Sequence, residues 1–199
     1  VGLHGLVRIL SGDWYWYLDD AGRPARGESV LNSAMLVYST NELSAMARRA
    51  DREETAELLA DIAREVSVAV GHAFDRDWFL RGYDDCGKPI GCSAEGRLFL
   101  DVQAWALLSR CGTVDQRKKA LESSLAVSRG GTNATPALSK PYPFARTKNI
   151  PTGYCMRPGE GFNGGVVLLV NAWFCWALGA ERHFEEAWRE WRGISLRQR

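Results

Sequence analysis

Three segments of this 199-residue chain bring together residue types that can do chemistry: GDWYWYLDDAGRPARGESV at 12–30, GRLFLDVQAWAL at 96–107 and RPGEGFNGG at 157–165. Each contains acidic residues and glycine, and between them they add indoles and side-chain amides. Carboxyl groups exchange protons, indoles offer flat apolar faces, and amides form directional hydrogen bonds. That mixture suits a polyhydroxylated ligand such as a sugar better than a nucleotide or a metal ion. The residues of interest are Asp13, Trp14, Arg26 and Glu28 in the first segment, Gln103 and Trp105 in the second, and Asn163 and Gly164 in the third.

These segments must be held by the elements around them. From Glu28 to about Ala50 apolar residues recur at helical spacing, and Asp51 followed by Glu54 marks a capping box that opens a second helix. Residues 77–83 (DWFLRGY) are expected to be extended and to end in the turn DDCGKP. RLFLD then reads as extended, VQAWALLSRC as helical, and Thr113 with Gln116 as a capping box for a helix to about Ser128. Residues 129–163 carry five of the chain's seven prolines and no period, so they are expected to form a long ordered loop. Two helices close the chain, an apolar one at 165–178 and an amphipathic one at 181–192. In the last helix Phe184, Ala187, Trp188 and Trp191 are expected to face inward, with Arg182, Glu185, Glu186, Arg189 and Glu190 facing water.

The order is three helical hairpins separated by loops rich in Gly and Trp. It predicts an all-α chain, part of an α/α toroid with long Gly/Pro-rich loops and a short β-like insert. The GxGxxG spacing occurs at Gly159–Gly164, but it follows the proline-rich loop and no strand-like segment, so it is not read as a phosphate loop; GxxxxGK[ST] does not occur in the sequence.

Composition narrows the partners. Lys and Arg (25) nearly balance Asp and Glu (24), which argues against nucleic acid or an anionic membrane as partner. Five cysteines without repeated spacing argue against a disulfide framework and, with three scattered histidines, against a metal site. A reducing, cytoplasmic setting is the expectation. The longest apolar run, 165–178, is too short to span a bilayer and contains Asn171.

Four stretches in order, GLHGLVRILSGDW…GESV, FDRDWFLRGYDDCGKPIG, LFLDVQAWAL and GYCMRPGEGFNGG, make the chain similar to glycoside hydrolase family 94, the cellobiose and chitobiose phosphorylases. The resemblance covers nearly the whole chain. It implies an (α/α)6 barrel of which residues 1–199 are the later portion, with an N-terminal β-sandwich and the first barrel helices preceding Val1 and absent here. It also implies a reaction in which a disaccharide and inorganic phosphate, as co-substrate, yield an α-sugar 1-phosphate with inversion. No other cofactor is expected, and family members commonly form homodimers. Such a reaction needs one carboxylic acid to protonate the leaving oxygen. Held phosphate takes the place of an activated water.

This sequence departs from the family pattern at the positions that carry this chemistry. The family motif D-W-N-D, whose second Asp is the acid, is here Asp13-Trp14-Tyr15-Trp16. Asp13 is the best remaining catalytic candidate because it matches the motif's first Asp, although its family role is structural. In the third segment Met156, Gly161, Phe162 and Leu169 stand where the resemblance places Tyr, a basic residue, Glu and a phosphate-contacting His. Asn163, Gly164 and Gly165 match. The remaining matches imply substrate contacts, each beside a structural alternative. Trp14 stacks on a sugar or packs in the core, and Glu28 meets the ligand or favours a helix start. Arg26 holds an anion or pairs with Glu28. Gln103 and Trp105 reach a sugar or pack, Tyr154 contacts an acceptor sugar, and His4 is read as a loop histidine.

The expected function is therefore that of a phosphorylase-like protein acting on an oligosaccharide or disaccharide, with impaired catalysis. Three rivals remain open: a non-catalytic sugar-binding relative, an eroded fragment, and an (α/α)6 hydrolase using Asp19 with Asp84 or Asp85.

Overall fold

The computed structural model describes residues 1–10, 13–14, 18, 21–130, 134–145 and 155–195. Among them the chain runs β1 (Val7–Arg8), β2 (Glu28–Ser29), α1 (Val30–Arg49), α2 (Glu53–His72), β3 (Phe74–Asp75), β4 (Trp78–Phe79), β5 (Gly82–Tyr83), β6 (Pro89–Ile90), α3 (Leu100–Leu108), α4 (Val114–Gly130), α5 (Leu168–Ala180) and α6 (Phe184–Ile194). Helices dominate, in three consecutive hairpins. α1 packs on α2 and α3, α3 on α4 and α5, and α5 on α6. The row α1–α3–α5 forms the spine, and α3 is buried on nearly every side.

The expected all-α class needs amending, because β-structure extends beyond the single insert. A four-stranded antiparallel sheet, ordered β1-β2-β5-β6, joins the first segment to the 82–90 hairpin, and β3 pairs with β4. Strands of two residues are too short for alternation to be visible in sequence. Glu28 accordingly lies in a strand rather than opening a helix, and Ser29 is the N-cap of α1, its hydroxyl accepting from the Asn32 N–H at 3.1 Å. Gly82 is required by close approach, since a Cβ there would meet the Glu28 carbonyl oxygen at 2.2 Å.

Two caps test local reasoning. Thr113 and Gln116 form the expected box, with Gln116 N–H donating to the Thr113 hydroxyl at 3.2 Å and Thr113 N–H to the Gln116 carbonyl at 2.8 Å. Asp51 does not cap α2. It adopts a left-handed conformation (φ 54°) in the turn leaving α1, and α2 starts at Glu53 without a side-chain cap.

The largest correction is α6. Phe184, Trp188 and Trp191 are 65%, 58% and 52% exposed, whereas Glu190 is 2% exposed. The Glu190 carboxylate accepts from Thr135 N–H (2.9 Å), the Thr135 hydroxyl (2.7 Å) and the Asn171 amide (2.6 Å). A carboxylate so fully bonded can be buried, and here it turns the helix by its polar anchor rather than by its aromatic stripe.

Candidate functional site

The first and second chemistry-bearing segments meet around Arg81, which sits just before β5 and is fully buried. Its guanidinium donates to both oxygens of Asp13, one of them at 3.2 Å, and to the Ser29 hydroxyl at 3.1 Å. Its Nε lies 3.5 Å from the Asp101 carboxylate in the first turn of α3. One side chain thus joins both ends of the first segment, at Asp13 and Ser29, to the second segment at Asp101. Burial pushes the Asp101 carboxyl up to about 6, with the Arg81 charge pulling it back. A guanidinium is suited to this place because its planar fork meets a carboxylate with two parallel bonds.

Two amides complete the frame. Gln103 is buried in α3. Its carbonyl accepts from Phe79 N–H at 2.9 Å, and its amide donates to the Phe79 and Phe99 carbonyls at 2.9 and 3.1 Å. It clamps β4 as a strand partner would. Asn163 is equally buried and accepts from Tyr142 N–H at 2.7 Å. It donates to the Tyr142 and Met156 carbonyls, both at 2.9 Å, and so fixes the third segment. Gly164 follows with φ 91°, and a Cβ there would strike Pro141 at 2.6 Å.

Above this frame lies an aromatic face. Trp14 packs against Trp173 with centroids 5.1 Å apart, and edge-on against Phe162 at 6.0 Å. Trp105 meets Trp173 at 5.5 Å, Trp176 at 6.0 Å and Tyr38 at 5.7 Å, all near edge-to-face. Trp14, Trp105 and Trp173 are partly buried, whereas Trp176 is exposed. The Nε1–H groups of Trp14 and Trp105 are buried without a hydrogen-bond partner among the described residues. Buried indole N–H groups normally find one. Leu169, on the first turn of α5, is 43% exposed.

The candidates therefore separate. Asp13, Gln103 and Asn163 belong to the frame, with their polar atoms engaged inside the protein. Trp14 and Trp105 belong to the aromatic face. Glu28 and Arg26 lie elsewhere, beside the four-stranded sheet. The Glu28 carboxylate is buried and accepts from His4 N–H (3.0 Å), Leu6 N–H (3.1 Å) and the His4 ring, not from the N-terminus of α1. The Arg26 side chain makes no pair with Glu28; among the described residues only its main-chain N–H is bonded, to Asp85 at 2.8 Å. Asp84 and Asp85 both brace loops through main-chain N–H groups, Asp84 those of Cys86 and Lys88, Asp85 those of Arg26 and Gly27. Trp16, Asp19 and Tyr154 lie outside the described residues. Sequence reasoning missed Arg81, Asp101, Trp173, Trp176 and Tyr38. A lone charge inside an apolar run, as in FLRGY and LFLDV, was the available signal for the first two, since such a charge must be paired if it is buried.

Comparison with known proteins agrees with the pattern of segments. Over 128 residues (61% of the chain) it is 37% identical to a 3-O-β-D-glucopyranosyl-β-D-glucuronide phosphorylase of Paenibacillus borealis, covering 17% of that protein. Over 113 residues (55%) it is 36% identical to a solabiose phosphorylase of the same organism, covering 15% of it. Over 201 aligned residues (98%) it is 30% identical to a cyclic β-(1,2)-glucan synthase of Rhizobium meliloti, covering 7% of it. The chain spans less than a fifth of the length of each of these relatives. Residues 1–195 match the catalytic domain of the glycosyl hydrolase 94 superfamily, and the chain belongs to that family.

Proposed function

We propose that this chain is the sugar-contacting part of a β-glycoside phosphorylase-type catalytic domain, and that it binds a β-linked glucoside without turning it over. The observation that carries the reading is the aromatic face. Three partly buried indoles, Trp14, Trp105 and Trp173, are supported from below by a fixed polar frame, and two of them hold N–H donors without partners among the described residues. An indole offers a sugar ring an apolar plane, and an N–H offers its hydroxyls a donor.

The chemistry is weaker than the binding. The general-acid position holds Trp16, which has no acidic proton to give. Asp13, the next candidate, has both carboxylate oxygens held by Arg81, which suits an anchor rather than an acid. The positions expected to face phosphate hold Gly161 and Leu169, neither of which pairs with an anion. Phe162, in place of a carboxylate, presents its ring to Trp14.

The architecture this reading implies is part of an (α/α)6 toroid over residues 1–199. It is supported by three successive hairpins with α1, α3 and α5 in a row. The whole protein would act on an oligosaccharide or disaccharide with inorganic phosphate as co-substrate, as a homodimer in the cytoplasm. Among the described residues no helix is long and apolar enough to cross a membrane. The test is an assay for sugar 1-phosphate with cellobiose, laminaribiose or sophorose plus phosphate. The chain as it stands is expected to release none. Sugar 1-phosphate made by the wild-type chain, and abolished by Trp14→Ala, would show that the acid resides elsewhere.

A further inference from the structure

A second concave site lies apart from the aromatic face. It is a cleft of about 630 Å³ beside the four-stranded sheet, walled by residues 2–4, by Arg8, Arg26 and Glu28, and by the hairpin tip 84–87. That volume lies within the range of small-molecule sites. Strand pairing sets part of its wall. Arg8 is directly opposite Glu28, and Glu28 directly opposite Tyr83, so the three project from one face of the sheet. His4 stacks on Tyr83 with centroids 3.8 Å apart and planes 9° from parallel. The His4 Nδ1–H donates to Glu28, which fixes the orientation of the ring.

The hydrogen-bonding capacity left in the cleft is mixed. Both oxygens of Glu28 are occupied, by main-chain N–H groups and His4. Asp84 and Asp85 each engage one oxygen with two main-chain N–H groups. Their second oxygens have no donor among the described residues, and that of Asp85 is buried. The guanidinium groups of Arg8 and Arg26 are exposed and engage no acceptor among the described residues. Three carboxylates face two guanidinium groups and one imidazole, so the cleft carries no strong field of either sign. A phosphate or carboxylate would meet Glu28, Asp84 and Asp85 along with the arginines. A neutral polyol meets the same carboxylates without repulsion, because each hydroxyl both donates and accepts, and a vicinal pair can give to a carboxylate while taking from a guanidinium.

We propose that this cleft is a second carbohydrate subsite, one that takes a neutral pyranose unit through Arg8, Arg26 and Asp84. The sugar class rests on the carbohydrate-binding reading above; the place and the residues do not. The test is titration of the full chain with methyl β-D-glucopyranoside, followed by backbone amide shifts of Gly2 and Gly87 at the cleft and by the indole N–H signals of Trp14 and Trp105. D-glucuronate and inorganic phosphate serve as comparison ligands. The Arg8→Gln/Arg26→Gln variant changes exposed side chains only and is expected to fold. It should weaken the response at Gly2 and Gly87 about tenfold while leaving the indole response as in wild type. Trp14→Ala should do the reverse.

Unchanged cleft shifts in the double variant would overturn the assignment. Tighter binding of glucuronate or phosphate than of the glucoside, lost in the double variant, would also overturn it and make the cleft an anion site. If the indole signals respond and the cleft amides do not, this inference fails and the proposed function stands. If neither region of the wild-type chain responds to the glucoside, both fail.

Discussion

The buried frame around Arg81 and the aromatic face above it are neighbours built on opposite rules. In the frame, Asp13, Gln103 and Asn163 spend their polar groups on internal partners. On the face, rings meet edge-on and two indole N–H groups have no partner among the described residues. Set against the family pattern, the frame positions match it, as do Trp14 and Gly164. Of the positions that depart, Gly161, Phe162 and Leu169 are partly or largely exposed. A frame residue cannot change without orphaning a buried partner, whereas an exposed one can change at little cost to folding. Family membership is therefore legible mainly from residues that hold the site together, and it says less about the reaction.

The sharpest way to break the comparison is at Arg81. Arg81→Met strands Asp13 and Asp101 without their cation, and is expected to cost about 3–5 kcal/mol in urea unfolding or to prevent folding. Adding Asp13→Asn and Asp101→Asn to Arg81→Met should recover much of that loss, because no buried charge is then unpaired. A triple variant no more stable than the single one would mean that Arg81 acts through packing and not charge.

Next in size is Gln103→Ala, which leaves the Phe79 N–H and carbonyl without their partner, removes one donor from the Phe99 carbonyl, and should cost about 2–3 kcal/mol. Asn163→Ala should behave alike, with the loss centred on the third segment. On the face, Trp14→Ala is expected to lower stability by less than the Arg81 change and to weaken binding of a β-glucoside about tenfold, as loss of one stacked ring implies. Calorimetric titration beside a thermal melt reads both. A variant that loses stability as Arg81→Met does, yet binds sugar normally, would move Trp14 into the frame.

The smallest effect is a pH dependence. The Asp101 carboxyl sits at about 6 in the folded chain, above its ordinary value of 3.8. Between those values the folded state keeps a proton that the unfolded state has released. The group's contribution is therefore fullest below about pH 4, declines as pH rises toward 6, and is flat above. Urea midpoints measured from pH 4 to 8 should show this decline in wild type and lack it in Asp101→Asn. Parallel curves for the two proteins would remove Asp101 from the account.

Much of the helical order was legible, because periodicity and turn chemistry are local. The strands within 77–83, the turn that follows them and the Thr113–Gln116 cap needed nothing beyond their own residues. What failed was set by distant partners. α6 buries Glu190 because Thr135 and Asn171 supply donors from other parts of the chain, and no helical wheel contains them. Glu28 left the helix because β1 and β5 compete for its backbone. Gln103 and Asn163 looked like ligand contacts because an amide in a Gly- or Trp-rich segment looks the same whether it bonds a sugar or a neighbouring strand. Arg81 is the clearest case: one charge joins the first two segments, and neither segment alone reveals it.

The most direct test of the division between frame and face is an NMR titration of the wild-type chain with cellobiose, resolving side-chain N–H groups. The account predicts that the indole N–H signals of Trp14 and Trp105 shift to saturation while the side-chain amide signals of Gln103 and Asn163 stay in place. Shifts at Gln103 and Asn163 with the indole signals unmoved would contradict it.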